Sequence, residues 1–429
     1  MIETLLPFTK VDELGCHFDT PDEPNSIHLE VRVAGRLDAD RLRVAVRAAL
    51  AAHPLARARR GPWHRLDRRF HWEITDVADV QPIEPVCWRD DTQLAAHRST
   101  LLNATSPLEL SPPLRIRHAT GPTEDVLIVN THHAAMDGLS SLRLLGSIAR
   151  RYAGRPDPLG ADPLAVRTPI VHRSEAGERD LRSLRPSARI AADRADPGPG
   201  CGFQLMTIPV STVHARHTTT ATVNDLLIAA MIRAVVAWNA AHGSHTGPIR
   251  ITMPINAREP NRTESGAPLG NLSRLAVITN TPDRRDRTDR LLRDITEQTT
   301  AAKHRGGAQI DMISNLLATA MLPVTMKARL VEVSRRLAAA AGSTALVSNL
   351  GIVTDPPDFG ADHPATGLWF SPPTRMPGGL AVGALTVRGQ LHLCLRYRRA
   401  LLDRPAADRF GTLLRVALGS LGDPRLVSP

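Results

Sequence analysis

Residues 126–138 have the sequence VLIVNTHHAAMDG, an apolar segment that ends in two histidines. The first four residues are apolar and mostly β-branched, which predicts a short buried strand. This strand leads directly into His132 and His133. Because successive side chains leave a strand on opposite faces, only one of the two imidazoles is able to face a cleft. Imidazole titrates near neutral pH, so that histidine is a candidate general base.

The residues after the histidines predict a tight turn followed by a helix. Gly138 allows the backbone to turn where a side chain would obstruct it. Beyond this glycine, leucine or isoleucine recurs every three residues, which indicates a helix. The recurring residues are Leu139, Leu142, Leu145 and Ile148. Asp137 either faces the cleft as a second acid or turns inward to pair with an arginine, and the strand–turn–helix setting favours the inward position as a brace for the loop.

Strands and helices alternate on both sides of this stretch, which is typical of an α/β protein. Upstream, alternating apolar residues over 27–33 predict a half-buried strand, and Asp38 is the expected cap of the next helix. Downstream, Thr222 is the expected start of a long apolar helix. The 429 residues exceed what one core usually holds, so two lobes are expected.

A segment rich in proline, glycine and charge separates the two halves of the chain. We predict an N-terminal lobe over residues 1–160, a crossing over residues 161–202 and a C-terminal lobe over residues 203–429. Within the C-terminal lobe, apolar periodicity predicts helices over residues 287–304 and 310–341.

The composition favours a cytoplasmic protein. No apolar run approaches the ~20 residues of a membrane span, and the first residues lack the pattern of a signal peptide. The four cysteines lie far apart, without the spacing of a zinc site or a disulfide framework. Arginine supplies nearly all of the positive charge behind the net +10. This charge indicates either an ordinary solvated surface or one that attracts an anion, such as coenzyme A phosphates or an acidic carrier protein.

Nucleic acid and metal are not expected as partners. Only 3% of the residues are aromatic, which leaves few platforms on which bases stack. A metal site is the rival interpretation of the motif, since His133 and Asp137 stand four residues apart and are potential ligands of one ion. Zinc requires at least a third protein ligand, and no other cluster of histidine, aspartate or glutamate stands out. The sequence therefore predicts no metal and no bound cofactor.

Residues 132–138 resemble the HHxxxDG signature of an acyltransferase superfamily. This superfamily includes chloramphenicol acetyltransferases, condensation domains of nonribosomal peptide synthetases, BAHD acyltransferases, wax ester synthases and phthiocerol dimycocerosyl transferases. Further segments look like those of its stand-alone members and come in the same order. They are TVND at 222–225, PINAR at 254–258, Gly270-Asn271 and VSNLG at 347–351. The DFGWG stretch typical of plant BAHD enzymes is absent from the sequence.

The resemblance implies a pseudo-dimer of two chloramphenicol-acetyltransferase-like lobes, with the active site in a tunnel between them. It implies that the second histidine of the motif, His133, is the general base, and that His132 is not needed for proton transfer. The superfamily's aspartate forms a structural salt bridge with an arginine, so Asp137 takes that part here. Arg258 is the candidate partner.

The resemblance also suggests residues that assist the chemistry from the second lobe. Asn349, with Ser348, is the candidate that stabilises the developing oxyanion. The alternative is that Asn349 only completes a turn after a strand by bonding to the backbone. Gly138 is assigned to the structure of the active-site loop.

The implied reaction moves an acyl group from a thioester, either acyl-CoA or acyl-carrier protein, to a hydroxyl or amine of a small molecule. No acyl-enzyme intermediate is required, and the context is specialised or lipid metabolism. Two alternatives stay open at the sequence level. One is a stand-alone condensation enzyme that forms an amide or ester on carrier-bound substrates. The other is a non-catalytic condensation-fold module, which predicts a degraded motif, whereas every signature position is filled here.

Overall fold

The computed structural model describes residues 4–104, 106–157, 186–195, 197–214, 221–258, 269–304, 321–337 and 342–421. The first half of the chain forms β1 (Thr4–Pro7), α1 (Lys10–His17), β2 (Ser26–Ala34), α2 (Ala39–Ala52), a 3-10 turn (Pro54–Arg57), β3 (Ala58–Arg60), β4 (His71–Ile74), β5 (Ile83–Cys87), α3 (Asp91–Leu102), β6 (Leu114–Thr120), β7 (Glu124–His132) and α4 (Gly138–Tyr152).

The second half forms β8 (Cys201–Pro209), α5 (Val210–His214), α6 (Val223–Ala241), β9 (Ile249–Asn256), β10 (Ser273–Asn280), a 3-10 turn (Pro282–Arg284), α7 (Thr288–His304), α8 (Val324–Leu337), β11 (Ala345–Ile352), β12 (Ala365–Ser371), β13 (Leu380–Val387), β14 (Gln390–Arg398) and α9 (Arg404–Leu421). The α/β class expected from the sequence is confirmed, and the chain has the two lobes that the resemblance implied.

Each lobe is built on one large sheet. The N-terminal sheet has the strand order β12-β2-β7-β6-β5, and the C-terminal sheet has the order β10-β9-β11-β13-β14-β8. A smaller sheet, β1-β4-β3, completes the N-terminal lobe. Strand β2 shows why the layers form, because its apolar side chains at alternate positions from Ile27 to Val33 are buried in one core with α2 and α4.

Strand β12 belongs to the N-terminal sheet although it comes from the second half of the chain. It pairs antiparallel with β2, so that Trp369 lies opposite Glu30 and Phe370 opposite Leu29. This pairing covers the edge of β2 that would otherwise be open. The sequence-based division at residues 161–202 assigns all of 203–429 to the C-terminal lobe, so it does not include the pairing of β12 with the N-terminal sheet.

Two helix caps expected from the sequence are confirmed. Asp38 accepts a hydrogen bond from the Arg41 amide at 2.7 Å and begins α2. Thr222 and Asp225 form a reciprocal capping box at the start of α6. Helix α6 meets the length and composition of a membrane span, the one described helix that does, but 67% of the relevant window is buried inside the protein. It forms the centre of the C-terminal core, which accounts for its apolar sequence.

Residues 161–185 and 196 of the predicted crossing lie outside the described residues, as do residues 310–320 and 338–341 of the predicted helix over 310–341. The described end of the crossing packs with the C-terminal lobe, because Ala188 and Ile190 are buried in its core. Within the predicted helix, the structure has α8 over Val324–Leu337.

Candidate active site

The backbone of His133 is held from both lobes. This residue follows the last residue of β7 and stands in the turn before α4. Its amide donates to the Asn25 carbonyl at 2.8 Å, within the N-terminal lobe. Its own carbonyl accepts a hydrogen bond from Asn271 Nδ2, in the C-terminal lobe, at 2.7 Å. The position of the imidazole therefore depends on how the two lobes are placed relative to each other.

Only one nitrogen of the His133 ring, Nδ1, has a hydrogen-bond contact among the described residues. Nδ1 lies 3.2 Å from the Met136 carbonyl oxygen. Nδ1 also lies 3.5 Å from Asn271 Nδ2, which is an amide donor. A carbonyl only accepts hydrogen bonds, and the Met136 contact is the shorter of the two, so it favours the ring proton on Nδ1. Nε2 then carries the lone pair, and it has no hydrogen-bond partner among the described residues. The geometry is that of an imidazole ready to accept a proton at Nε2.

The surroundings of His133 keep its ring neutral. Burial lowers the pKa of His133 to about 4, and the positive charge of Arg375 acts in the same direction. The Asp137 carboxylate and the Met136 carbonyl oppose this shift but do not overcome it. At neutral pH the ring is therefore unprotonated, which is the form that a general base requires.

His132 points away from this site. Its side chain is buried, and Nδ1 accepts a hydrogen bond from the Ala134 amide at 3.1 Å. Nε2 faces Asp19 Oδ2 at 3.4 Å. Both nitrogens of His132 are thus directed at protein groups, in agreement with the strand geometry that lets only one of the two histidines face a cleft.

Asp137 is a buried carboxylate with four donors. It caps α4 by accepting from the Ser140 amide at 2.9 Å, and it accepts from the Leu272 amide at 2.9 Å. Arg258 binds it in bidentate fashion, at 2.8 and 2.9 Å. Burial by itself raises the pKa of Asp137, but the Arg258 guanidinium and the amide donors lower it below its usual range.

The structure brings Arg258 and Asp137 together across the lobe boundary. Arg258 Nη2 also donates to Ser140 Oγ at 2.7 Å, and that hydroxyl donates to the Gly270 carbonyl at 2.8 Å. The Asp137 amide donates to the same carbonyl at 3.1 Å. We call these four residues the motif clasp. Because its charges and hydrogen bonds are mutually satisfied, it holds the loop that carries His133 against the second lobe.

Gly138 serves close packing rather than a special turn. A Cβ atom at this position would lie 2.7 Å from the Phe370 ring and 2.9 Å from Leu350 Cδ2. A side chain would obstruct this position, as the sequence suggested, but φ is not in the left-handed region, so no conformation special to glycine is required. Phe370 belongs to β12 and Leu350 to β11. The absence of a side chain at Gly138 therefore lets these two strands pack closely against the start of α4.

Asn349 and Ser348 lie on β11, next to the Leu350 that packs near Gly138. Ser348 is buried. Asn349 Oδ1 accepts a hydrogen bond from the Gly351 amide at 2.9 Å, and Gly351 has φ +84°. This hydrogen bond completes a backbone turn, which is the alternative function that the sequence suggested for Asn349. It leaves the Nδ2 amide group of Asn349 as the available donor.

Sequence reasoning missed three residues that surround the site. Asn25 and Asn271 fix the His133 backbone, and Arg375 contributes a positive charge near the ring. Asn271 had a sequence signal, the Gly270-Asn271 pair, although no part in the site was assigned to it. Asn25 and Arg375 had none, since only tertiary folding brings them to the motif. Among the described residues, no group of three His, Cys, Asp or Glu side chains is placed to hold a metal ion.

Comparisons with known proteins agree with this architecture. No model of a known protein family matches the chain. The uncharacterized protein Rv2305 of Mycobacterium tuberculosis is 32% identical over 434 residues, covering 96% of this chain and 99% of the relative. The corresponding protein MT2362 of strain CDC 1551 matches to the same extent.

Several solved structures share the fold. The first condensation domain of the calcium-dependent antibiotic synthetase, solved with a substrate analogue, has a TM-score of 0.73 at 14% identity, covering 99% of this chain and 97% of that one. The starter condensation domain of rhizomide synthetase, solved with C8-CoA, has a TM-score of 0.68 at 12% identity, covering 99% and 95%. The epimerization domain from the third module of tyrocidine synthetase B has a TM-score of 0.65 at 14% identity, covering 100% and 99%.

These likenesses define the class by its fold: the chain has the two-lobed fold of condensation domains. Within that class, the chain belongs to the same protein family as Rv2305 of Mycobacterium tuberculosis, which it matches over nearly its whole length.

Proposed function

We propose that this protein is an acyltransferase in which His133 Nε2 is the general base. The observation that carries the proposal is the state of that ring: neutral, with its proton held on Nδ1 by the Met136 carbonyl and its lone pair on Nε2 unoccupied. The donor is an acyl thioester of coenzyme A or of an acyl carrier protein. The acceptor is a hydroxyl or amine of a small molecule, bound in a tunnel between the lobes.

The proposed reaction has two steps. His133 Nε2 takes the proton from the acceptor hydroxyl or amine while that atom forms a bond to the thioester carbonyl carbon. The carbonyl π electrons move to oxygen and give a tetrahedral oxyanion. When the oxyanion collapses, the carbon–sulfur bond breaks and the thiolate takes the proton from the His133 imidazolium. No protein atom is acylated, and the histidine ends in its original state.

The low pKa of His133 has two opposite effects on its action as a base. It ensures that nearly every molecule has an unprotonated ring at pH 7. It also makes the transient imidazolium less stable, which Asp137 partly offsets by its negative charge. In this proposal Asp137 itself exchanges no proton, since its oxygens are engaged by Arg258 and two amides.

Asn349 is the proposed donor to the oxyanion. Its Oδ1 is engaged by the Gly351 amide, an arrangement that orients Nδ2 as the free end of the side chain. One preorganised donor of this type contributes on the order of 3 kcal/mol to the transition state. Ser348, which is buried, is proposed only to support the strand.

The donor class is open to direct measurement. A solved relative in fold, the rhizomide starter domain, carries C8-CoA in its structure. This chain incubated with C8-CoA and a mixture of small alcohols and amines is expected to release free thiol, with mass spectrometry identifying the ester or amide. Release from a phosphopantetheine-linked acyl carrier protein but not from the CoA thioester would restrict the donor to carrier-bound acyl groups.

The role of His133 has its own control. His133→Ala is expected to slow thiol release by about 2–4 orders of magnitude, whereas substitution of an exposed residue outside the site, Val416→Ser, is expected to leave it unchanged. Unaltered turnover in His133→Ala would end the proposal.

A further inference from the structure

An exposed apolar stripe lies on α8 and on the loop next to it. On α8 the stripe consists of Met326, Leu330 and Val333, which stand four and three residues apart and so share one face of the helix. On the loop over residues 61–69 it continues with Trp63 and Leu66. Leu66 is 81% exposed, while Met326 and Val333 are 50% and 51% exposed. Together with the arginines described below, we call this set the α8 surface.

A second face of α8, about 100° around the helix from the stripe, is anchored in the protein, so the outward direction of the stripe is determined. Lys327 is completely buried and lies 3.2 Å from Glu13 Oε1 of α1. Its Nζ also donates to the Arg68 carbonyl at 2.8 Å. One turn further along, Val331 packs against Leu14. Rotation of the helix to hide the stripe would expose these contacts and break a buried ion pair.

The loop is fastened to the beginning of the same helix. The Val324 amide donates to the Asp67 carbonyl at 2.7 Å, and Thr325 Oγ1 donates to the Arg65 carbonyl at 3.0 Å. Leu66 stands between the two accepting residues. These hydrogen bonds place the loop directly beside the start of α8, so the exposed apolar side chains lie on adjoining segments.

Positive charge borders this stripe. The exposed arginines of the two segments are Arg65, Arg68, Arg69, Arg329 and Arg336. The acidic residues of the same segments are Asp67 and Glu332, and Glu332 is engaged by Arg336. The balance is strongly cationic, and guanidinium groups bind phosphate with matched geometry.

We propose that the α8 surface binds an anionic lipid membrane from one side, without spanning it. A leucine that is four-fifths exposed is accommodated by acyl chains, which adapt to its shape, whereas a protein partner must supply a matching pocket. Apolar and tryptophan side chains at the interface with arginines at headgroup level are the physical requirements of a peripheral membrane site. The proposal does not depend on acyl transfer at His133.

The test is flotation of the full-length protein with vesicles. Vesicles of equal parts phosphatidylglycerol and phosphatidylcholine are expected to carry the protein to the top of the gradient. Pure phosphatidylcholine vesicles are expected to carry much less, and raising the salt concentration is expected to release the protein. Absence of flotation with the anionic vesicles would overturn the proposal, as would equal flotation with both compositions.

Variants locate the binding surface. The pair Met326→Ser and Leu330→Ser is expected to weaken binding about tenfold or more, because both side chains lose their contact with the acyl chains. The matched control is Val416→Ser, a change at a 61% exposed valine on α9, which is expected to bind like the parent. Arg329→Gln is expected to weaken binding about fivefold, the equivalent of roughly 1 kcal/mol for one basic residue at an anionic surface.

Two further outcomes separate the explanations. His133→Ala is expected to float like the parent protein, so a failure of the proposed chemistry leaves the membrane result intact. If the parent protein is instead a dimer in gel filtration and Leu330→Ser makes it a monomer without changing flotation, the stripe is a contact between two copies and the membrane proposal is wrong.

Discussion

The two ends of the motif loop, His133 and Asp137, are four residues apart and have opposite surroundings. Every oxygen of Asp137 is engaged, by Arg258 and by the Ser140 and Leu272 amides. His133 has one nitrogen engaged and one unoccupied. A group whose hydrogen bonds are all satisfied holds a structure, whereas a group with a free lone pair is available for chemistry. The contrast separates a brace from a base, and each prediction below tests one side of it.

Removal of the base is expected to have the largest effect. His133→Ala should lower kcat/KM by about 2–4 orders of magnitude, the usual contribution of a general base. Its melting temperature should stay close to that of the parent, because among the described residues the half-buried ring has only two long polar contacts to lose, at 3.2 Å to Met136 and 3.5 Å to Asn271. Steady-state kinetics and thermal unfolding measure the two quantities. A large fall in melting temperature with little loss of activity would reverse the assignment of base and brace.

Removal of the brace is expected to affect stability first. Arg258→Met leaves Asp137 buried without its counter-charge, which costs about 3–5 kcal/mol of unfolding free energy. Urea unfolding measures this loss. Activity should fall as well, because the loop carrying His133 is no longer held to the second lobe. The double change Arg258→Met with Asp137→Leu, which removes both charges, should recover part of the stability. An unstable double variant would show that the clasp acts through more than charge pairing.

Packing next to the brace is expected to have a smaller effect. Gly138→Ala places a Cβ against Phe370 and Leu350 and should cost about 1–3 kcal/mol by overpacking. Gly419→Ala is the matched control within α9, because nothing lies within 4 Å of the Cβ that it adds. That control should be neutral or stabilising, since alanine favours a helix over glycine. Equal results for the two variants would contradict the close packing at Gly138.

The smallest expected effect is on the pH dependence. His133 has a folded-state pKa of about 4, below its unfolded value of 6.5. The unfolded chain therefore binds more protons between these values, and the stability that His133 contributes is present above pH 6.5 and lost as the pH falls toward 4. The activity should rise with pH near 4 and be insensitive to this residue from pH 6 to 8. A rise centred on pH 6.5 would contradict the lowered pKa of His133.

The sequence predicted the local elements around the site because they depend on short-range signals. The strand before the histidines, the helix after Gly138 and the cap at Thr222 all follow from hydrophobic spacing and side-chain capping. The sequence did not predict β12, because this strand pairs with β2 in the other lobe, more than 300 positions away. Neither Asn25 nor Arg375 has a local pattern that indicates a part in the site.

What the sequence by itself determined is the motif, its place between a strand and a helix, and the resemblance that follows from segments in the right order. Only the tertiary structure decided which nitrogen of His133 is free and that Arg258 meets Asp137 across 121 positions of the chain. It also decided that Gly138 is needed for space rather than for a turn. The physical reason is that a tautomer, an ion pair and a close contact each depend on a partner group, and only the folded chain brings that partner within reach.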